Sequence, residues 1–109
     1  MSVAVPAVIA LLLDPSSQPA VELAAGFEEE GVPLVLHAGT GAPSDLARRA
    51  AELSALGHGI GADRHVIALT LAARPRTPYL EAPASQARAF GHAAARLVAG
   101  RPLRLGSVD

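Results

Sequence analysis

Cysteine and lysine are both missing from this chain of 109 residues. Without cysteine there is no disulfide framework, no thiolate metal site and no thiol nucleophile. Without lysine there is no Schiff-base chemistry and no P-loop. Aromatic side chains are scarce, two phenylalanines and one tyrosine, so the core has to come from small and aliphatic groups. No charge of one sign dominates either. Nine arginines stand against ten acids, for a net charge of −1, and no basic field exists to attract a nucleic-acid backbone. Long apolar runs are absent. The longest, Ala7 to Leu13, falls far short of the roughly 20 residues that span a bilayer, and Met1 to Leu13 lacks the basic start of a signal peptide. A soluble, cytoplasmic protein is expected, with no membrane and no nucleic acid among its partners.

What the chain does have is alanine, 24 residues of it, within an apolar half. A chain of this size buries roughly 65% of its unfolded surface, so residues 1–109 are expected to form one domain. Ala7 to Leu13, closed by Asp14-Pro15-Ser16-Ser17, reads as a fully buried strand. Pro19 to Glu30 has a loose helical face and is stopped by Gly31 and Pro33. Pro33 to His37 reads as a second buried strand, followed by the loop Ala38-Gly39-Thr40-Gly41-Ala42-Pro43. Ser44 is the expected cap of a second helix, with Asp45 in its first turn. That helix presents Leu46, Ala50, Leu53 and Leu56 on one face and ends at Gly57. The glycine-rich His58 to Ala62 and the apolar Val66 to Leu71 are too close for a crossover helix, so they pair as a hairpin. Arg74 to Pro78 is a turn, Tyr79-Leu80 starts a short last strand, and Ser85 to Ala99 is a third helix ended by Gly100 and Pro102. The tail Leu103 to Asp109 has no clear period. Strands alternating with helices imply a three-layer α/β/α domain around a mostly parallel sheet.

Four features could carry chemistry. Glu28-Glu29-Glu30 sits in the last turn of a helix, where the dipole disfavours acids. Adjacent helical residues point about 100° apart, so the three cannot converge on one ion. One or two could ligate a hard cation that takes its remaining oxygens from elsewhere; otherwise they are a solvated acidic helix end. Asp63-Arg64-His65 lies beyond a strand end, where α/β sheets bind ligands, but no nucleophile is bracketed with it, and a plain hairpin turn is the simpler reading. Gly39-Thr40-Gly41 precedes a helix N-terminus, a place for phosphates, yet matches no nucleotide fingerprint. The histidines His37, His58, His65 and His92 have no zinc-site spacing.

Three segments taken together carry a family resemblance. They are Phe27-Glu28-Glu29-Glu30-Gly31-Val32-Pro33, Gly59-Ile60-Gly61-Ala62-Asp63-Arg64-His65, and Ala93-Ala94-Ala95-Arg96-Leu97-Val98-Ala99-Gly100-Arg101-Pro102. In order and spacing they resemble the small subunit of diol and glycerol dehydratase reactivases, over roughly Pro6 to Leu105. The resemblance implies a five-stranded mixed sheet between helices, mostly parallel, with one antiparallel strand at about residues 66–71. It implies a non-catalytic, chaperone-like subunit that pairs with a large ATPase subunit, commonly as α2β2. The pair would act on a diol or glycerol dehydratase holding damaged adenosylcobalamin, and release that cofactor by subunit exchange. It implies no cofactor of the chain's own, and a Mg²⁺ or Ca²⁺ shared with the large subunit. Glu29 is the expected metal donor, with Glu28 and Glu30 as fallbacks; no catalytic residue is expected. The choice of diol or glycerol dehydratase, and association with a microcompartment, stay open. Two other readings stand beside it. One is a medium-subunit-like component of a cobalamin-dependent dehydratase. The other is a free-standing flavodoxin-like domain that holds a small-molecule phosphate at Gly39 to Gly41.

Overall fold

A computed structural model describes residues 6–74 and 78–101. The elements run β1 (Val8–Leu12), α1 (Gln18–Glu30), β2 (Leu34–Ala38), α2 (Pro43–Leu53), β3 (His58–Ala62), β4 (Val66–Leu71) and β5 (Leu80–Pro83). A 3-10 turn (Ala84–Gln86) then leads into α3 (Ala87–Val98). The five strands form one sheet in the order β2-β1-β3-β4-β5. β1 runs parallel to β2 and to β3, while β4 is antiparallel to both β3 and β5. The one reversed strand is therefore Val66–Leu71, as the resemblance implies.

The helix ends follow from local chemistry. Ser17 caps α1, its hydroxyl accepting from the Ala20 amide at 3.3 Å. At the other end Gly31 takes a left-handed φ of 73°. It donates to the Glu28 carbonyl, and Val32 donates to that of Phe27. Those two bonds satisfy carbonyls the helix would leave unpaired. α2 departs from the expected start. Its cap is Ala42, with no side-chain bond, and Pro43 takes the first helical position. Proline suits that position because its missing amide would be unpaired there anyway. Ser44 thus lies inside the first turn rather than at the cap. The helix closes at Leu53 with Ser54 as its C-cap, before the expected Gly57.

One face of the sheet carries the larger core. Val8, Ala10, Leu12, Ile60, Ile67 and Leu69 meet Leu23 and Phe27 of α1 and Phe90, Ala94 and Ala95 of α3. Among the described residues the other face is covered by α2, which packs on β1, β3 and β4. There the fit depends on small residues. Ala47 and Ala51 of α2 lie directly on Gly59 and Gly61 of β3. A Cβ on Gly59 would fall within the backbone of Ala51 and Ala47, and one on Gly61 within that of Pro43 and Ala47. The glycine-rich strand thus admits the helix backbone itself. A hydroxyl secures the loop between α2 and β3, where buried Ser54 donates to the Ala7 carbonyl at 2.6 Å and accepts from the Leu56 amide.

β2 differs from its expected burial. It is the edge strand, and Val35, His37 and Ala38 are exposed. Its other side chains, Leu34 and Leu36, reach the larger core. On α2, Leu46 and Ala50 are buried against Leu11 and Ile9, but Leu53 is 67% exposed and Leu56 36%. The apolar face read from the sequence runs past the sheet it packs on. Residues 75–77 of the expected turn and the tail Leu103 to Asp109 lie outside the described residues.

Gly59→Ala or Gly61→Ala should lift α2 off the sheet, because the collision is with backbone and no rotamer relieves it. The expected loss is about 3 kcal/mol, the upper end for overpacking, read as a lower urea midpoint. An unchanged midpoint would show that α2 does not sit on the β3 backbone.

Candidate functional site

The expected metal donors lie at the end of α1, and the structure places a row of basic side chains beside them. α1 and α3 lie together on one face of the sheet, and their backbones meet at two glycines. A Cβ on Gly26 would lie 2.6 Å from the Arg88 carbonyl, and one on Gly91 would lie 2.7 Å from that of Leu23. With no side chain between them the helices come close enough for polar groups at their margins to bond. Arg88, His92 and Arg96 recur at four-residue spacing, so they form one stripe along α3. That stripe meets the acids of α1.

Arg88 donates from both arms of its fork to Glu29, with Nε 3.2 Å from Oε1. A third nitrogen reaches Glu22 at 3.3 Å. His92 lies between two carboxylates, its Nε2 2.7 Å from Glu29 and its Nδ1 2.7 Å from Glu30. Glu30 is the most enclosed acid, its side chain 7% exposed. It also accepts from Arg96 at 3.1 Å and from Arg101 at 2.8 Å. Glu28 is exposed, and its side chain has no hydrogen bond or ion pair among the described residues. The three adjacent acids therefore stand in different surroundings.

The electrostatics follow. Hydrogen bonds from Arg88, then His92, hold the Glu29 carboxyl below its ordinary pKa. The bond from His92 does the same for Glu30, against an opposing contribution from burial. The acids that α1's dipole disfavours are thus compensated by another helix. Sequence reasoning missed this. The signal was present as Arg88-x-x-x-His92-x-x-x-Arg96, but nothing in the sequence showed that α3 lies beside α1.

The other candidates hold structure together. Asp63 accepts from the amides of His65 and Val66 at 2.8 and 2.9 Å, closing the β3–β4 turn. Those bonds lower its pKa. Arg64 and His65 are exposed. A crevice of about 550 Å³ outside β1 and β3 is lined by Asp14, Ser17, Asp63 and Arg64, among others. Asp14 is occupied as well, by the amide and hydroxyl of Ser16. In the loop Gly39 to Gly41, Arg49 donates to the Thr40 carbonyl at 3.0 Å. His58 bonds the Leu56 carbonyl through Nδ1 at 2.7 Å, and His37 is exposed on β2. Among the described residues, no group of three or more His, Asp or Glu is arranged to hold a metal ion. None of their helices is long and apolar enough to cross a membrane.

The chain as a whole has relatives among known proteins. The family model for the dehydratase medium subunit matches residues 5–104. A structure of diol dehydratase-reactivating factor complexed with ADP and Mg²⁺ contains a similar chain, 32% identical with a TM-score of 0.82. The match covers 93% of this chain and 99% of that one. A glycerol dehydratase reactivase chain is 34% identical with a TM-score of 0.75, over 90% of this chain and 96% of that one. No curated protein matches the sequence.

The α1–α3 ion pairs carry a pH signature. A carboxyl whose pKa is lower folded than unfolded stabilises the fold above the unfolded value, about 4.3 for glutamate. That contribution is lost as pH falls through the lowered folded value. Thermal unfolding should show stability falling through this acid range. The double variant Glu29→Gln, Glu30→Gln should be less stable at neutral pH and lose less on acidification. Parallel curves for the two proteins would contradict the assignment.

Proposed function

The chain belongs to the dehydratase medium-subunit family, and within that family we propose that it is the small subunit of a dehydratase-reactivating factor. One observation carries the reading. The match takes in 99% and 96% of the two reactivase chains and at least 90% of this one, so the resemblance is between whole chains. In this reading the chain performs no catalysis. It pairs with a large ATPase subunit, as α2β2, and acts as a chaperone on a diol or glycerol dehydratase whose adenosylcobalamin is damaged. It leaves the large subunit, which then takes hold of the dehydratase's medium subunit, and the loosened enzyme releases the spent cofactor. Similarity between this chain and medium subunits is what makes such an exchange chemically reasonable, because the two can compete for one surface. The place of action is the cytoplasm, with or without a microcompartment.

A divalent cation shared with the large subunit belongs to this reading. Mg²⁺ and Ca²⁺ need six or more oxygens, and among the described residues no cluster supplies them. A single carboxylate does fit. Glu29 is the proposed donor, and it has to part from Arg88 and His92 to reach a cation. Glu28 is the alternative that needs no such release. Glu30 is held by His92, Arg96 and Arg101 and is the poorest of the three.

The family model's own description, the medium subunit of the dehydratase, favours a second reading, a component of the cobalamin enzyme itself. Co-expression separates the two. With its neighbouring large ATPase subunit, the chain should give a heterotetramer by light scattering, weakened by chelator and restored by Mg²⁺. Glu29→Ala should remove the Mg²⁺ dependence. If Glu28→Ala removes it and Glu29→Ala does not, the donor is Glu28. No complex with the large subunit, together with cobalamin that co-purifies with dehydratase subunits, would replace the reactivase reading with the second.

A further inference from the structure

Each basic group that holds Glu29 also holds a second acid. Arg88 donates to Glu29 through Nε and one terminal nitrogen, and its other terminal nitrogen reaches Glu22. His92 meets Glu29 through Nε2 and Glu30 through Nδ1. Glu22 and Glu29 are seven residues apart, about two helical turns, so their carboxylates lie on one stripe of α1. Arg88 sits against that stripe and bridges them.

The two attachments of Arg88 are unequal. Glu29 takes both arms of the guanidinium fork, the stronger two-point geometry. Glu22 takes one nitrogen at 3.3 Å, longer than the roughly 2.7–2.9 Å of a charge-assisted bond. That contact has room to tighten. Glu22 is also steadied from its other side, where its Oε2 accepts from Gln18 at 3.1 Å. Beside the pair lies an open depression of about 410 Å³, lined by Gln18, Glu22 and Arg88 among others, which leaves the half-exposed guanidinium space to turn.

We propose that Arg88 is a positioning residue for Glu29. It holds Glu29 in the seam between α1 and α3, and it passes to Glu22 when Glu29 is drawn to a cation. The inference rests on the proposed role of Glu29 as a donor to a cation shared with a partner. After the exchange Arg88 is paired with Glu22 and His92 with Glu30, so neither basic group is left without an acid. The seam stays closed, because Glu30 still bonds Arg96 and Arg101 and the helix backbones still meet at Gly26 and Gly91.

Two experiments test this. The first uses the chain by itself, with Glu29→Gln standing in for a recruited Glu29. The coupling between Arg88 and Glu22 comes from a double-variant cycle of Arg88→Gln and Glu22→Gln in urea unfolding. Measured in the unfolding equilibrium constant, it should be about threefold larger in the Glu29→Gln background, within the range of exposed charge pairs. An equal or smaller coupling there would overturn the exchange. The second experiment reads the Mg²⁺ midpoint for association with the large ATPase subunit. Arg88→Gln should lower that midpoint about threefold, and Glu22→Gln should raise it by a similar factor. A merely structural role would move both in the same direction. An effect of charge alone would let Glu22→Gln act in any background, whereas the exchange requires that it change nothing in the Arg88→Gln background. A shift that persists there would overturn the positioning role. So would an unmoved midpoint in Arg88→Gln, the result expected if Glu28 were the donor. A complex of the unaltered chain that ignores Mg²⁺ would defeat the shared cation of the proposed function and the positioning role with it, and the coupling in the isolated chain would then decide the exchange by itself.

Discussion

The close contact between Gly26 and Gly91 is the constraint on which the candidate site of this molecule depends. Two helices whose backbones touch cannot hold ordinary side chains between them. Leu23, Phe27 and Phe90 are accordingly turned toward the sheet, where they fill the larger core. Charged groups are left at the seam's margin. A Cβ at either glycine would push the helices apart and separate Glu29 and Glu30 from Arg88, His92 and Arg96 together. The same logic governs the opposite face, where the glycines of β3 admit the backbone of α2. Alanine and glycine replace jigsaw packing of large groups with short distances, and a chain with three aromatic residues has no other means of making a tight core.

That geometry changes how the acidic turn is understood. Three acids at a helix C-terminus break a local electrostatic rule, and such a break often marks function. Here Glu29 and Glu30 are compensated from α3, and Glu28 alone is left to solvent. The exposed pairs contribute little stability individually. Glu30, enclosed by His92, Arg96 and Arg101, is a different case, since removing it leaves two guanidinium groups without their shared carboxylate. The acidic turn is thus partly a structural clasp. A partner or cation that recruited Glu29 would have to compete with Arg88 and His92.

Much of the fold was legible in the sequence because it rests on local signals. Continuous apolar runs marked β1 and β4, Gly31 with Pro33 marked the end of α1, and the short Asp63-Arg64-His65 link forced a hairpin. The order of elements then left little freedom in topology. What escaped was non-local. β2 has the composition of a buried strand, and only its place at the sheet edge exposes Val35 and His37. Pro43 displaced Ser44 from the cap, a competition between two good starting residues one position apart. At the site, the acids were legible as a motif, but their partners were not, since Arg88 and Glu29 are brought together by packing between distant segments. The family resemblance named the turn. It did not indicate that two of its three acids are already paired within the chain.

In the proposed reading this chain, as a small subunit, contributes a surface, and its chemistry is the chemistry of association. The most direct test of that account follows the fate of the client enzyme. A dehydratase carrying a damaged, adenosyl-free cobalamin is mixed with ATP, Mg²⁺ and the large ATPase subunit, with and without this chain, and the release of cobalamin is followed by absorbance after separation by size. The account predicts release and recovery of dehydratase activity on adding fresh adenosylcobalamin only when this chain is present. Equal release without it, or cobalamin retained on this chain, would contradict the account.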